Sequence, residues 1–581
     1  MRGATCSFIP MSLCLTLACA DSERQVEVTR SALALALECT AISAQSLELS
    51  GLHELRAESV AAKYDGATAS ENHPAHCMVT GKLNPRTGQD GKPYAISFEL
   101  RLPEHWNRRF FFQGGGGSDG FILPATGLIP GGFKVSNGLS RGYAVVSMDG
   151  GHTAEDLPLF IGMSSFGLDP EARSDYGYRA LETVTSAAKQ MVERVYGAAI
   201  ERSYFVGCSN GGRQALVAAS RYPDIFDGIV AGNPGFQLPK AALQHAWDYQ
   251  QLLRIDASNP ADALRAQEMK LVGERIASKC DALDGVSDGI VENGEDCRAA
   301  FDLDEDVPTC TTAARSGECL SALQKDVLKN LLAGPVNSRG EALYSDWPVD
   351  PSIGSDDVMG YRGWKLGMPD LFGLSLITTG GAGSLAYIFT TPPTDLAMQP
   401  AAALDPLAVL QDYLARFDFD RDAPKIHAST AQYSESAISF MTPPDETLRD
   451  FAATGHKLIV YHGTGDPVFS SNDTLRWYER LADAHTDAAR FAKLFLVPGM
   501  THCGGGPATD SFDMLSAVED WVEQDRAPSA VVARIDPGNT SVPASWPLTR
   551  TRLLCPHPQH ARLSPGASDT ESAASFECAK P

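Results

Sequence analysis

Gly207-Cys208-Ser209-Asn210-Gly211 has the make-up of a nucleophile turn. A serine in such a segment sits on a strained strand-to-helix bend, where bulky neighbours two residues away would clash. The apolar run Tyr204-Phe205-Val206-Gly207 leads directly into it, and a helix beginning near Gly211 would point its first amides at the serine. A serine hydroxyl at its ordinary pKa is a poor nucleophile and needs a base to take its proton. His502 and Asp466 are the candidates. Each stands in a Gly-containing loop just past an apolar strand, in the order Ser, Asp, His, an order in which such relays occur. Singly, Asp466 reads as a turn residue and His502 as a surface histidine; together they read as orienting acid and base. His152 is the rival base, but it precedes the serine and reads as structural. Acyl transfer also needs donors aimed at the developing oxyanion. The Asn210 amide is one. The other belongs to the loop Gln113-Gly114-Gly115-Gly116-Gly117-Ser118, whose glycines let backbone approach a substrate closely. It is not read as a phosphate cradle, because neither a Lys-Ser/Thr pair nor a helix start follows it.

These groups need a scaffold. From about Tyr94 to Phe112 the chain reads as strand, turn, strand: Ala95 to Leu100 alternates, and Arg109-Phe110-Phe111-Phe112 is a buried-looking run. Tyr143 to Met148 is a further strand, ending at Asp149-Gly150-Gly151, and Ala180 to Tyr196 has helical spacing. Lys457 to His462 and Lys493 to Pro498 resume the strand pattern late in the chain. Strands alternating with helices predict a mostly parallel sheet with helices on both faces. Between about Gln237 and Ala423 the alternation stops, and scattered Trp247, Trp347, Trp364, Phe372, Tyr387 and Phe389 mix with Gly and Pro. The chain therefore reads as one sheet domain in two parts, 21–236 and 424–581, interrupted by an insertion over 237–423. A Pro-rich tail closes it. At 581 residues it is too long for one core, since single cores stop growing near ~250–300 residues.

Hydrophobic content of 43% and charged content of 21% are those of a soluble globular protein. The net charge of −24 disfavours nucleic acid, which needs a basic face. Residues 1–20 read as an export signal: Arg2, an apolar run from Phe8 to Ala18, and the small-x-small site Ala18-Cys19-Ala20. Secretion or periplasmic export is the leading expectation. Lipidation at Cys19 is the alternative, although Thr16 stands where a lipoprotein signal carries an aliphatic residue. No later run approaches the ~18 apolar residues of a membrane span. Of thirteen cysteines, Cys6, Cys14 and Cys19 lie in the signal, and the other ten make an even set suited to an oxidising compartment. Counting does not give connectivity, but Cys280/Cys297, Cys310/Cys319 and Cys555/Cys578 are close enough to pair locally. The absence of C-x-x-C argues against zinc. If Ser209 and His502 meet, Cys208 and Cys503 beside them meet as well, which leaves Cys39 with Cys77. A Cys208–Cys503 bridge would close a loop of roughly 300 residues, worth up to ~5–6 kcal/mol in the chain-entropy model.

Together these features resemble the tannase and feruloyl esterase family of α/β hydrolases, from about Cys39 to Cys578, and most closely the branch that hydrolyses mono(2-hydroxyethyl) terephthalate. Gly207-Cys208-Ser209-Asn210-Gly211-Gly212 looks like the family's G-C-S-x-G-G and His502-Cys503 like its H-C pair; Val497-Pro498-Gly499-Met500 and Leu554-Cys555-Pro556 also match. The resemblance implies an α/β-hydrolase fold whose insertion is a lid over the ester pocket. It implies Ser209, Asp466 and His502 as a triad, the Gly117 and Asn210 amides as oxyanion hole, and Cys208–Cys503 as an active-site disulfide. Leu238, Trp364 and Phe469 fall at substrate-contacting positions. It also implies a structural calcium in the lid and no organic cofactor. The segment from Cys280 to Ile290 looks like the calcium loop, with Asp281, Asp284 and Asp288 and the carbonyls of Val286 and Ile290 as ligands; hard Ca²⁺ takes about six to eight oxygens. Alone, that segment reads as an acidic surface turn; adjacency to Cys280 and the motif favour the cation.

One departure bears on substrate. The half-ester branch carries a lid arginine that faces its substrate's free carboxylate. The resemblance puts Leu376 at that position, and no Lys or Arg occurs between Lys365 and Arg416. An unpaired carboxylate in an apolar pocket is costly. The leading reading is a secreted serine carboxylic ester hydrolase that acts on neutral esters of aromatic acids, feruloyl or benzoate-like, through an acyl-enzyme. A half-ester hydrolase that recognises the carboxylate from elsewhere, with Lys365 the first suspect, is the second reading. A non-catalytic calcium-binding interaction protein on the same fold is the third, and the intact Ser and His stand against it.

Overall fold

The computed structural model describes residues 38–43, 47, 49–66, 71–132, 136–154, 161–312, 315–368, 374–399 and 405–580. The candidate export segment 1–20, with Cys19, lies outside the described residues. Two kinds of strand build the main sheet, and their burial tells them apart. Leu52–Val60 (β1), at the sheet edge, is buried only at Leu52. His76–Thr87 (β2) and Pro93–Pro103 (β3) largely alternate buried with wetter positions, the pattern of antiparallel strands with one face on the core. Arg109–Gln113 (β4), Ala144–Met148 (β5), Arg202–Cys208 (β6), Gly228–Gly232 (β7), Lys457–Gly463 (β8) and Ala492–Val497 (β9) are buried along almost their whole length. They are the parallel part, covered on both faces. The nine strands run in the order β1-β2-β3-β5-β4-β6-β7-β8-β9.

The expected strand-turn-strand over 94–112 forms both strands, but they are not neighbours. β5 lies between them, antiparallel to β3 through Phe98 and Met148 and parallel to β4 through Phe110 and Ala144. The triple phenylalanine run explains this, because it has apolar side chains on both faces and belongs inside a covered sheet. Phe110 and Phe112 enter one core layer with Trp477 and the apolar face of Ala180–Tyr196. Phe111 enters the opposite layer with Met514, Leu515, Val518 and Trp521 of the helix Met514–Gln524. The fold is thus a three-layer helix–sheet–helix arrangement.

Between β7 and β8 the described residues contribute no strand to this sheet. It builds helices instead, among them Leu238–Leu253, Ala266–Cys280, Ala322–Ala333 and Pro406–Arg416. The insertion expected over 237–423 falls inside this stretch. One of its cores is internal, with Ile276, Cys280, Cys297, Val327 and Leu328. The other is shared with the sheet unit, where Leu238, Ala386 and Leu410 pack with Phe166, Tyr176 and Phe469. The Pro-rich tail is more structured than its sequence predicts: Val531–Arg534 pairs with Thr551–Leu554, and His560–Leu563 with Phe576–Ala579. All five disulfides form as anticipated: Cys39–Cys77, Cys208–Cys503, Cys280–Cys297, Cys310–Cys319 and Cys555–Cys578. Among the described residues no helix is long and apolar enough to cross a membrane.

Candidate active site

Ser209 follows the last residue of β6 and precedes the helix Asn210–Arg221. Its backbone is forced to φ 64°, ψ −124°, a conformation that costs a non-glycine residue on the order of 1–3 kcal/mol. The surrounding glycines make room for it. A Cβ on Gly207 would lie 2.7 Å from the Gly211 backbone, and one on Gly114 would lie 2.8 Å from the Gly211 Cα. The glycine-rich loop therefore packs on the bend with its first residues. Its later ones face open space: a Cβ at Gly116 would meet nothing within 4 Å, and one at Gly117 only the Met163 methyl at 3.9 Å. Asn210 opens its helix, so its amide has no carbonyl one turn back to bind. The G-x-S-x-G pattern also occurs at 116–120 and 285–289, but no strand runs directly into either.

The structure brings the three separated candidates together. His502 Nε2 lies 2.8 Å from Ser209 Oγ, and His502 Nδ1 lies 2.9 and 3.1 Å from the two Asp466 oxygens. Nδ1 faces only acceptors and so carries the ring proton, leaving Nε2 to accept from the serine hydroxyl. Asp466 and His502 are 1% and 2% exposed. Burial alone would raise the Asp466 pKa, but His502 and His462 hold it well below the usual carboxylate range. Asn233 Nδ2 donates to it at 2.8 Å, as do the amides of Val468 at 2.7 Å and Phe469 at 3.2 Å. His462 Nε2 sits between Asp466 Oδ2 at 3.2 Å and the Phe469 carbonyl at 3.0 Å, so it donates there, while Nδ1 accepts from Thr474 at 2.9 Å. Sequence reasoning missed Asn233 and His462. Each ends or follows a sheet strand, and that position was the only signal available.

His152, the rival base, is buried in a stack on Phe166 with ring centres 3.6 Å apart. Burial pushes its pKa down to about 3. Trp364 and Phe469 stand edge-to-face against the His502 ring, at 5.3 and 5.5 Å, and Leu238 shares the buried cluster of Phe469. Lys365 does not serve as the free cation suspected of it. Its Nζ is buried 2.5 Å from Asp248 and lies 4.1 Å from the centre of the Trp347 ring. Leu376 is half-buried at the start of the turn Ile377–Gly381.

Asp281, Asp284 and Asp288 share one turn, but backbone amides occupy them. Asp281 accepts from Asp288 and Gly289, Asp284 from Val286, and Asp288 from Ile290. Arg552 also pairs with Asp288. Among the described residues no group of three or more His, Cys, Asp or Glu is arranged to hold a metal ion. The turn is nevertheless crowded with negative charge. Burial, Asp288 and Asp281 push Asp284 up to about 6, and burial, Asp284 and Asp288 push Glu292 up to about 8. Glu292 was not among the expected ligands.

The family model described as tannase and feruloyl esterase matches residues 77–579. A mono(2-hydroxyethyl) terephthalate hydrolase of Piscinibacter sakaiensis is 41% identical over 548 residues, covering 90% of this chain and 88% of its own. An uncharacterized esterase of Xanthomonas campestris is 30% identical, covering 95% of this chain and 92% of its own. The crystal structure of feruloyl esterase B from Aspergillus oryzae superposes with a TM-score of 0.69 at 22% identity, over 93% of this chain and 99% of that one. Tannin acyl hydrolase from Aspergillus niger gives 0.62 at 20% identity, over 93% and 95%. The fold is that of the α/β hydrolases.

Proposed function

The chain belongs to the tannase and feruloyl esterase family and is a carboxylic ester hydrolase, and from that premise we propose that it cleaves esters of aromatic acids through an acyl-enzyme on Ser209. The observation that carries the proposal is the contact of Ser209 Oγ with His502 Nε2 at 2.8 Å, with Asp466 behind the ring. Ser209 Oγ attacks the ester carbonyl carbon while Nε2 takes the hydroxyl proton. Asp466 stabilises the imidazolium that results. The carbonyl oxygen becomes an oxyanion facing the Gly117 and Asn210 amides. Collapse expels the alcohol, which leaves with the proton from Nε2. Water then attacks the acyl carbon, giving its proton to Nε2, and the aromatic acid leaves as Ser209 regains its hydrogen. Trp364, Phe469 and Leu238 supply apolar surface beside His502 for the aromatic ring.

Ser209→Ala removes only the attacking oxygen. It is expected to lower kcat for methyl ferulate by ~10⁴–10⁶ at unchanged melting temperature, and to abolish labelling by a fluorophosphonate. Retention of more than about a few per cent of wild-type activity would mean another nucleophile.

The choice between neutral and carboxylate-bearing substrates turns on charge. One relative is named for a terephthalate half-ester, yet here Lys365 is neutralised by Asp248 and the whole chain carries −24. Losing a charge-assisted hydrogen bond costs ~1.5–3 kcal/mol, or about ten- to a hundredfold in kcat/KM. A methyl ester of a neutral aromatic acid is expected to exceed the half-ester by that order, with Leu376→Arg narrowing the gap. Equal kcat/KM at low salt would overturn this preference.

We also propose that calcium holds the lid turn. The oxygen-only donors Asp281, Asp284, Asp288, Val286 and Ile290 suit a hard cation, and the raised pKa values of Asp284 and Glu292 mark charge that such an ion would relieve. Its charge would screen the turn and leave the ester chemistry to Ser209 and His502. Chelation should lower the melting temperature, and elemental analysis should find about one calcium per chain; unchanged melting with no metal would reject the site. Residues 1–20 are proposed to be removed on export, a reading supported by the apolar run and by five disulfides. The mass of the mature protein should then begin at Asp21, and an acylated Cys19 would instead identify a lipoprotein.

A further inference from the structure

Asp119 takes no part in the chemistry above, yet it is 1% exposed and its carboxylate is fully engaged. Asn210 Nδ2 donates to Oδ1 at 2.6 Å, and Gln214 Nε2 donates to Oδ2 at 3.0 Å. Its own amide donates to the Gly116 carbonyl at 3.0 Å. Two glycines leave the space it fills: a Cβ on Gly115 would lie 2.7 Å from Oδ2, and one on Gly150 would lie 3.0 Å from the Asp119 Cβ.

The donors cannot turn over to suit a different partner. Gln214 Oε1 already accepts from the Gly115 amide at 3.0 Å, and Asn210 Oδ1 accepts from Arg213 Nε at 2.8 Å. Each side-chain amide is thus fixed with its NH₂ toward Asp119, and both carboxylate oxygens must accept. Only an ionised carboxylate does so; a neutral acid or an amide would turn one donor toward another. The groups tied together in this way are Asn210 and the Gly115–Gly117 loop, the two arms expected to bind the oxyanion.

We propose, on the premise of the Ser209 acyl-enzyme above, that Asp119 is a positioning residue whose carboxylate fixes the spacing between the Gly117 and Asn210 amides. The charged and titratable groups around it are Arg213, Asp149 and Tyr176, with His152 beyond Gly120. Burial pushes Asp119 up to about 7, against Arg213, Asn210 and Gln214. The carboxylate form therefore prevails above that value. A proton gained as pH falls through it converts one acceptor into a donor facing an NH₂ group. Turnover then loses the oxyanion geometry as pH falls through that value.

The test is Asp119→Asn in the full chain. A misplaced hole should lower kcat about ten- to a hundredfold, with KM and the inhibition constant of the free aromatic acid within about twofold. Affinity for an aromatic boronic acid, which places a tetrahedral adduct's oxygen in the hole, should fall by the same factor as kcat. The acid limb of log kcat should exceed a slope of one in the wild type and return to one in the variant. A packing role alone would lower melting without changing that slope or the boronate-to-acid ratio. Wild-type kcat and boronate affinity in Asp119→Asn would overturn the inference. Should the variant fail to fold, a single-proton acid limb in the wild type would overturn it equally. The premise fails separately: activity in Ser209→Ala removes the nucleophile, whereas an inactive Ser209→Ala beside a fully active Asp119→Asn removes only the role of Asp119.

Discussion

A single hydrogen bond of 2.8 Å joins Ser209 to His502 across 293 residues of chain, and much of the architecture serves to make that contact repeatable. The parallel strands solve most of the problem. Their carboxyl ends lie along one edge of the sheet, so the loops after β6, β8 and β9 open on the same side. Ser209 leaves β6, Asp466 follows β8 and His502 follows β9. What the sheet leaves loose, Cys208–Cys503 fixes, with Cα atoms 6.1 Å apart. The bridge connects the immediate neighbours of Ser209 and His502, so its constraint acts on their separation rather than on the domain at large.

Asp466, behind the His502 ring, is also held from several directions. Two histidines, Asn233 and two backbone amides converge on Asp466, which keeps a fully desolvated carboxylate ionised. The insertion contributes as well. The His502 amide donates to the carbonyl of Met359 at 3.2 Å, and the turn Arg362–Leu366 carries Trp364 against the imidazole. On the same turn Lys365 is buried against Asp248. Taking one partner from such a pair leaves an uncompensated charge costing about 3–5 kcal/mol, so this cation anchors the insertion and is unavailable to a substrate.

What could be read in the sequence was whatever depends on local pattern. Ser209, Asp466 and His502 were legible because each follows an apolar strand, and that context alone separates 207–211 from the same five-residue pattern at 116–120 and 285–289. Three disulfides were legible as cysteines close in the chain, and Cys208–Cys503 and Cys39–Cys77 followed once Ser209 and His502 were placed together. β1 was missed because its exposed positions carry charge, as in His53, Glu54, Arg56 and Glu58. β7 was missed because glycines bound it; Gly228 and Gly232 make room for Tyr204 and Tyr461 of the flanking strands. The order β3-β5-β4, the pairing of Lys365 and the roles of Asn233, His462 and Asp119 depend on contacts between distant segments. No local pattern encodes those.

The account rests on Ser209 becoming covalently acylated. Intact-protein mass spectrometry during turnover of a p-nitrophenyl ester of an aromatic acid, quenched in acid and followed by peptide mapping, tests this directly. The account predicts one acyl group per chain, located on the peptide that contains Ser209, with a burst of p-nitrophenol equal to the enzyme concentration. Steady turnover with no adduct, or an adduct mapped to another residue, would contradict it.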